Sequence, residues 1–229
     1  MATRTEKLAR RAPGSSTREH FRIPPLLAQV LGAAVMLAAA RSAWAGGLLG
    51  IDHPVTPTES GIWARGNTLG LEYGVVAVEL GGALWFGGES KVGKTFWQTI
   101  DASIFGQVAA QGAKYAFGRE RPSQTSNPDE WFKGFHAQSF PSGEVTLQAS
   151  VVTPFIVNYA ECNPWAWALE VLPAYDAAAR VKQGAHWQSD VLAGWALGST
   201  FGYFAARNQS PLVLNALPHG FMIGIQARF

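Results

Sequence analysis

Cysteine and charged residues are both scarce in this sequence, and each scarcity restricts the classes of protein to which the chain can belong. Cys162 is the only cysteine among 229 residues, which excludes an intramolecular disulfide. Charged residues make up 15% of the chain, well below the quarter that is usual in soluble domains. The sequence has neither a basic stripe nor the spacing of zinc ligands, so we expect no nucleic-acid partner.

Uninterrupted apolar runs long enough to cross a membrane are also rare, although 48% of the residues are hydrophobic. A span needs about 20 mostly apolar residues. Residues 145–160 and 191–206 come closest but are short. Charged side chains interrupt the other candidates, and each costs about 2.5–3.5 kcal/mol at the centre of a membrane helix. We expect an exported domain that is soluble or membrane-associated, with an integral membrane protein as the alternative.

The first 45 residues differ in composition from the rest of the chain. A basic stretch precedes the apolar segment Ile23–Ala40, and an Ala-x-Ala sequence ends at Ala45. This order is typical of a secretory signal peptide, and an uncleaved transmembrane helix is the alternative. Residues 1–45 hold seven of the 18 basic and two of the 16 acidic residues, so residues 46–229 carry a net charge of −3. The pattern predicts export, to a periplasm or a membrane surface, and one helical domain over residues 46–229.

Five later segments have helical character and are joined mostly by short connections. They are Thr68–Phe86, Phe96–Phe117, Val145–Tyr159, Trp165–Arg180 and Ser189–Ala206. Helices joined by short loops lie antiparallel to one another. We therefore predict an all-α bundle of five helices, or six if the N-terminal apolar segment is retained, and the polar stretches described next place the candidate active site at helix ends. Apolar residues alternate from Phe221 to Phe229, which is the period of a β-strand and predicts a short strand-like tail.

The stretch KYAFGRERP is the first of three that place polar residues at spacings suited to an anion. Lys114 and Arg121 are seven residues apart, which is two helical turns, so we expect both on one helix face. Pro122 is predicted to end that helix. Compensation of the helix dipole could also account for two cations there. Arg119 and Glu120 lie off this face and are predicted to be solvated charges.

The second stretch, PSGE, is predicted to begin a helix. Ser142 can cap that helix, and Gly143 allows the backbone to approach a ligand closely. The free N–H groups of a helix N-terminus are well suited to binding phosphate. Glu144 is unexpected in such a site because its carboxylate would repel an anion, although an acidic residue in the first helical turn is favourable in itself.

The third stretch, RVKQGAHWQSD, places His186 four residues before Asp190. A carboxylate at that distance can fix the tautomer of the imidazole and make its other nitrogen a better nucleophile or base. Arg180 precedes His186 by six residues, across a loop that contains Gly184, and could reach the same anion. A histidine–aspartate pair by itself is more often a surface pair than a catalytic one.

Together and in this order, the three stretches resemble the type 2 phosphatidic acid phosphatase and vanadium haloperoxidase superfamily. The resemblance covers residues 114–190. It implies an α-helical protein in which His186 attacks phosphorus and forms a phosphohistidine, while Asp190 orients His186. It also implies that water then releases phosphate without a metal or another cofactor. The residues that would hold the phosphate are Lys114, Arg121, Ser142, Gly143 and Arg180.

Two positions depart from the pattern of that superfamily. The third motif usually begins with Ser-Arg, and here Ala179 takes the place of the serine. The second motif usually ends in a histidine that helps to protonate the leaving oxygen, and here Glu144 stands in that place. Glu144 could be the general acid itself, His136 could donate the proton, or Glu144 could repel phosphate and leave a weak enzyme or none. Our working hypothesis is that Glu144 is the general acid.

Three functions are compatible with this pattern. The first is a phosphatase that acts on mono- or diphosphate esters of lipids or prenyl carriers at a membrane surface. The second is a non-catalytic protein that binds a phospholipid or phosphate. The third is a haloperoxidase in which His186 binds vanadate, and the loss of histidine at position 144 argues against it. Phosphate release distinguishes the first from the second, and vanadate-dependent bromide oxidation distinguishes the third.

Overall fold

The computed structural model of the protein describes residues 46–208, 212–217 and 220–225. The predictions of a signal peptide and of a sixth, N-terminal helix concern residues 1–45 and lie outside the described residues. Five α-helices are described: α1 (Arg65–Phe86), α2 (Lys91–Phe117), α3 (Gly143–Tyr159), α4 (Val171–Lys182) and α5 (Gln188–Arg207). The predicted all-α bundle is confirmed. The predicted strand-like tail overlaps β2 (Gly220–Ile225), which pairs antiparallel with β1 (Leu212–Leu217), a strand that the sequence analysis did not predict.

The prediction of a fourth helix over Trp165–Arg180 is wrong for the first part of that range. A 3₁₀-helix occupies Pro164–Glu170, and α4 begins only at Val171. Proline explains the break, because Pro173 has no N–H with which to continue an α-helical ladder from the preceding turn. In the observed arrangement Pro173 lies in the first turn of α4, where helix N–H groups have no intrahelical partner in any case.

Helix α3 lies at the centre of the bundle and packs against each of the other four helices. Eleven of its 17 residues are buried, so one of the two segments that came closest to a membrane span in the sequence is an interior helix. Among the described residues, α1 is instead the one helix long and apolar enough to cross a membrane by length and composition. Large apolar side chains of α1, among them Leu84 and Trp85, are exposed.

Three glycines of α5 allow its backbone to lie directly against α3. A Cβ atom would lie 2.5 Å from the Ser142 carbonyl oxygen if built on Gly194, and 2.2 Å from the Thr146 carbonyl oxygen if built on Gly198. On Gly202 it would lie 2.6 Å from the Cβ atom of Thr153. This close approach brings the first turns of α3 and α5 together, and these turns carry two of the three polar stretches.

Replacing Gly198 with alanine should therefore destabilise the protein, because the new methyl group has no room beside the α3 backbone. Overpacking of this kind costs about 1–3 kcal/mol. The matched control is Gly74→Ala in α1, where an added Cβ meets no described atom within 4 Å. We expect the control to be neutral or to stabilise by about 0.5–1 kcal/mol. Unfolding of the full chain followed by circular dichroism measures both, and equal effects would contradict the close packing.

Candidate active site

The polar residues of the three stretches come together where helix ends converge. Lys114 lies in the last turn of α2, and Asp190 lies in the first turn of α5. Ser142 occupies the N-cap position of α3, but its hydroxyl does not make the predicted capping hydrogen bond. The Lys114 ammonium donates a hydrogen bond of 2.9 Å to the Gln138 carbonyl, and the Ser142 N–H donates one of 3.0 Å to the Asp190 carbonyl. Residues far apart in sequence thus form one cluster at this end of the bundle.

His186 lies in the loop between α4 and α5 and is only 3% exposed. Its Nδ1 atom is 2.7 Å from the Ser139 carbonyl oxygen, so Nδ1 carries the proton and donates it to that carbonyl. The Nε2 atom is then the unprotonated nitrogen. Burial lowers the pKa of His186 to about 4, and the charges of Lys114 and Arg180 act in the same direction. The imidazole is therefore neutral near pH 7.

Asp190 supports this loop rather than bonding His186 directly. Its Oδ2 atom is 3.8 Å from His186 Nδ1, which is too long for a hydrogen bond. The same oxygen accepts hydrogen bonds from the Ser139 hydroxyl at 2.5 Å and the Trp187 N–H at 2.8 Å. Burial alone would raise the pKa of Asp190, but hydrogen bonding and the Arg119 charge outweigh burial and keep that pKa below its usual range. Asp190 is thus a carboxylate that connects the residue after His186 to Ser139, whose carbonyl binds the imidazole.

Arg119 is fully buried, and its prediction as a solvated charge is wrong. Its guanidinium donates to Asp190 Oδ1 and to Asp52 Oδ2, each at 2.6 Å, and lies over the ring of Trp131 at 4.3 Å. Asp52 also accepts hydrogen bonds from the N–H and the hydroxyl of Ser189, both at 2.7 Å. Sequence reasoning missed Asp52, which belongs to none of the three stretches.

The error about Arg119 has a local cause, which is where α2 ends. The helix ends at Phe117, and Gly118 follows with a left-handed backbone at φ +46°. Helical spacing therefore does not extend to Arg121, and the expectation that Lys114 and Arg121 share a helix face is also wrong. The charge of Arg121 nevertheless acts on Lys114, since it helps to lower the pKa of Lys114.

Four of the five predicted phosphate-binding residues lie at the N-terminus of α3, where Ser142 and Gly143 begin the helix and Lys114 and Arg180 lie beside its first turn. Burial, reinforced by Arg121, lowers the pKa of Lys114 to about 8. A Cβ atom on Gly143 would lie 3.7 Å from Lys114 Cε, so this lysine lies beside the first turn of α3. The Ser142 hydroxyl and the Arg180 Nε atom are buried without a hydrogen-bond partner among the described residues. Unpaired buried donors next to a helix N-terminus are suited to an oxyanion.

Glu144 is held in an ion pair that the sequence did not indicate. Arg65 Nη1 and Nη2 donate to its two carboxylate oxygens at 2.6 and 2.9 Å, and Arg180 Nη2 lies 3.5 Å from one of them. Burial would raise the pKa of Glu144, but the Arg65 hydrogen bonds and the Arg180 charge outweigh burial and lower it. Glu144 is therefore ionised near pH 7. The general-acid hypothesis stays a prediction, and this ion pair opposes it.

Three further residues complete the surroundings of the site. Arg65, the first residue of α1, has one weak sequence signal: it is the only lysine or arginine between positions 46 and 90. Asp176 lies one helical turn before Arg180, is buried without a hydrogen-bond partner in the described part of the chain, and has its pKa raised to about 7 by burial. His136, the other candidate proton donor, is exposed.

The described residues include no group of three or more His, Cys, Asp or Glu side chains that could hold a metal ion.

Comparison with known proteins adds two kinds of match. The family model described as the PAP2 superfamily matches residues 97–212, half of the chain. A lipid A 1-phosphatase of Porphyromonas gingivalis is 33% identical over 104 residues, which are 45% of this chain and 21% of that protein. An undecaprenyl-diphosphatase of Sulfolobus acidocaldarius is 27% identical over 113 residues, which are 48% of this chain and 52% of that protein. The chain thus spans about half the length of the undecaprenyl-diphosphatase and about a fifth of the length of the lipid A 1-phosphatase. No solved structure matches it.

Replacing Arg119 with methionine should strongly destabilise the protein, because it leaves two buried carboxylates without their cation. Breaking a buried ion pair in this way costs about 3–5 kcal/mol. The matched control is Arg207→Met at the exposed end of α5, which should leave stability unchanged. Urea unfolding of the full chain gives both values. Equal stability of the two variants would contradict the supporting role of Arg119.

Proposed function

The chain belongs to the PAP2 superfamily, and from that premise we propose that it is a phosphatase of phosphorylated lipids or prenyl carriers. In this proposal the enzyme hydrolyses a monophosphate or diphosphate ester through a phosphohistidine, without a metal or another cofactor. The observation that carries the proposal is a buried, neutral imidazole next to three cations and two unpaired donors. The relatives named as phosphatases of lipid A and of undecaprenyl diphosphate support the substrate class.

Electrostatic attraction positions the substrate in this proposal. Lys114, Arg121 and Arg180 supply positive charge, and the Ser142 hydroxyl and the N–H groups at the start of α3 supply hydrogen bonds. Phosphoryl transfer requires mainly positioning and stabilisation of charge on the phosphoryl oxygens. Donors that are already oriented in a buried site are effective because they need no reorganisation during the reaction.

His186 is the proposed nucleophile. Its Nε2 lone pair forms a bond to phosphorus, while the bond between phosphorus and the leaving oxygen breaks and that oxygen takes the electron pair. The Nδ1–H group remains bound to the Ser139 carbonyl, and the carboxylate of Asp190 stabilises the positive charge on the ring. Water then attacks phosphorus, the P–N bond breaks, and its electron pair returns to Nε2. Inorganic phosphate leaves together with the proton lost by the water.

Proton donation to the leaving oxygen is the weak step, because Glu144 is ionised by its pairing with Arg65. The proposal therefore favours substrates whose leaving group departs as a stable anion. A prenyl diphosphate is such a substrate, since the group that leaves is itself a phosphate ester. A phosphatidate loses an alkoxide and needs a proton donor more strongly.

Exposed apolar side chains near the site support a substrate at a membrane surface. Phe132 and Phe135 are exposed on the connection between α2 and α3, just before Gln138, whose carbonyl binds Lys114. Large apolar side chains are also exposed along α1. Exposed apolar patches on a protein mark interaction or membrane-contact sites. We propose that the protein is exported and works at a membrane, where lipid substrates are found.

The main alternative is a phosphate-binding protein without turnover. The observation that favours it is the Glu144 carboxylate, which lies 3.5 Å from the phosphate-binding residue Arg180. Such a protein would bind phosphate or a phospholipid through the same cations and release no product.

Phosphate release from three substrates tests the proposal. The full chain, purified in detergent without added metal, is offered an activated aryl phosphate, a prenyl diphosphate and a phosphatidate. We expect turnover of the first two to exceed that of phosphatidate by about a hundredfold, which is the lower end of what general-acid catalysis contributes. His186→Ala should abolish release from all three substrates. The control is His53→Ala, which changes an exposed histidine outside the three polar stretches and should leave release unchanged.

The outcomes of this experiment separate the two functions. Release that survives His186→Ala contradicts the phosphohistidine route. A folded protein that binds phosphate but releases none from any substrate is the phosphate-binding alternative. Equal rates on phosphatidate and prenyl diphosphate would show that a proton donor is present after all.

The alkaline limb of the pH–rate profile should report Lys114. Its pKa is lowered to about 8, so its positive charge is present below pH 8 and is lost as the pH rises through that value. We expect kcat/KM to fall about tenfold for each pH unit above 8, because kcat/KM reports groups of the free enzyme. Lys114→Arg keeps the charge at all these pH values and should shift the limb above pH 10. If the alkaline limb does not shift in Lys114→Arg, the limb reports the titration of another group.

A further inference from the structure

We propose that Arg65 is a positioning residue of the phosphate site. It cancels the charge of Glu144 and, through Glu144, orients Arg180. In this way the ion pair makes a carboxylate tolerable at the position where the resemblance implies a histidine. The inference rests on the proposed function insofar as the site binds phosphate, but it does not require turnover.

The geometry of Arg65 is that of a fixed partner. Both terminal nitrogens of its guanidinium bind the two oxygens of Glu144 in parallel, which is the strongest arrangement of an arginine–carboxylate pair. The hydroxyl of Thr68, one turn later in α1, accepts a third hydrogen bond from Nη1 at 2.9 Å. That hydroxyl in turn donates to the Arg65 carbonyl at 3.0 Å. Arg65 is thus held by its own helix in the orientation that engages Glu144.

Arg180 is held at both of its terminal nitrogens. Nη2 lies 3.5 Å from the Glu144 oxygen, and Nη1 donates to the side chain of Gln183 at 2.8 Å. Gln183 is in turn bound to the Trp63 carbonyl, two residues before Arg65. The buried Nε atom of Arg180 has no hydrogen-bond partner among the described residues. Gln183 therefore fixes the guanidinium through Nη1, the Glu144 charge lies beside Nη2, and the buried Nε donor is left for an anion.

Charge explains why Arg65 is needed for this arrangement. Without Arg65, the Glu144 carboxylate would offset the charge of Arg180 and repel a phosphate bound beside it. With Arg65 the pair is neutral, and the charges of Lys114, Arg121 and Arg180 act on the anion. Such effects are large in a partly buried site, where charges are weakly screened.

Binding of inorganic phosphate to three variants tests this inference by the sign of each effect. Titration calorimetry at pH 7 is performed on the full chain in detergent. Arg65→Met leaves Glu144 unpaired and should raise the Kd by about tenfold or more. Glu144→Gln keeps an acceptor oxygen beside Arg180 and leaves Arg65 with its positive charge, so the Kd should stay equal or become lower. The double variant restores neutrality and should return to within about threefold of the wild type.

A merely structural role of the pair predicts a different pattern. In that case both single substitutions would weaken binding, and the double variant would be no better than Arg65→Met; either result overturns the inference. The control is Arg207→Met, which removes an arginine about 25 Å along α5 from Asp190 and should leave the Kd unchanged. A Kd unaffected by Arg65→Met contradicts this inference alone. A wild-type chain that binds no phosphate contradicts the proposed function as well.

Discussion

The site depends on the two ion pairs that the buried guanidinium of Arg119 forms. A charge without access to water is costly unless it is paired, and Arg119 is paired twice. Asp52 reaches it from the segment before α1, and Asp190 from the first turn of α5. Because Asp190 also accepts hydrogen bonds from Ser139 and from the N–H of Trp187, three distant segments meet at one network. The position of His186 follows from that network, since its own bond is to the Ser139 carbonyl.

Burial also determines the protonation states that the proposed chemistry needs. The low polarity around His186 keeps the pKa of the imidazole near 4, and the same effect lowers the pKa of Lys114 only to about 8. Between these values the histidine is neutral and the lysine is charged, so nucleophile and anion-binding charge coexist. An exposed histidine would be partly protonated close to pH 7 and would lack its lone pair.

Glu144 shows how an unfavourable residue is accommodated by a distant partner. Within the motif, a carboxylate at the start of α3 would repel a bound phosphate. In the folded protein, Arg65 neutralises that carboxylate, and Arg180 lies on its other side. The consequence is a site that retains its anion-binding charge but has no protonated acid at position 144. In the proposed reaction, the rate then depends on the leaving group, which links the glutamate at position 144 to the choice of substrate.

The sequence by itself determined the five helices and the polar stretches, because helical periodicity and the spacing of Arg180, His186 and Asp190 are local properties. It failed wherever local reasoning ran past a helix end, as at Gly118, or across the break before Pro173. Only the tertiary structure decided the partners of the charged groups. Arg65 and Glu144 are 79 residues apart, and Arg119 lies 67 and 71 residues from its two carboxylates. Such pairs form because helix packing buries charges together, and no local pattern in a single sequence records which charges those are.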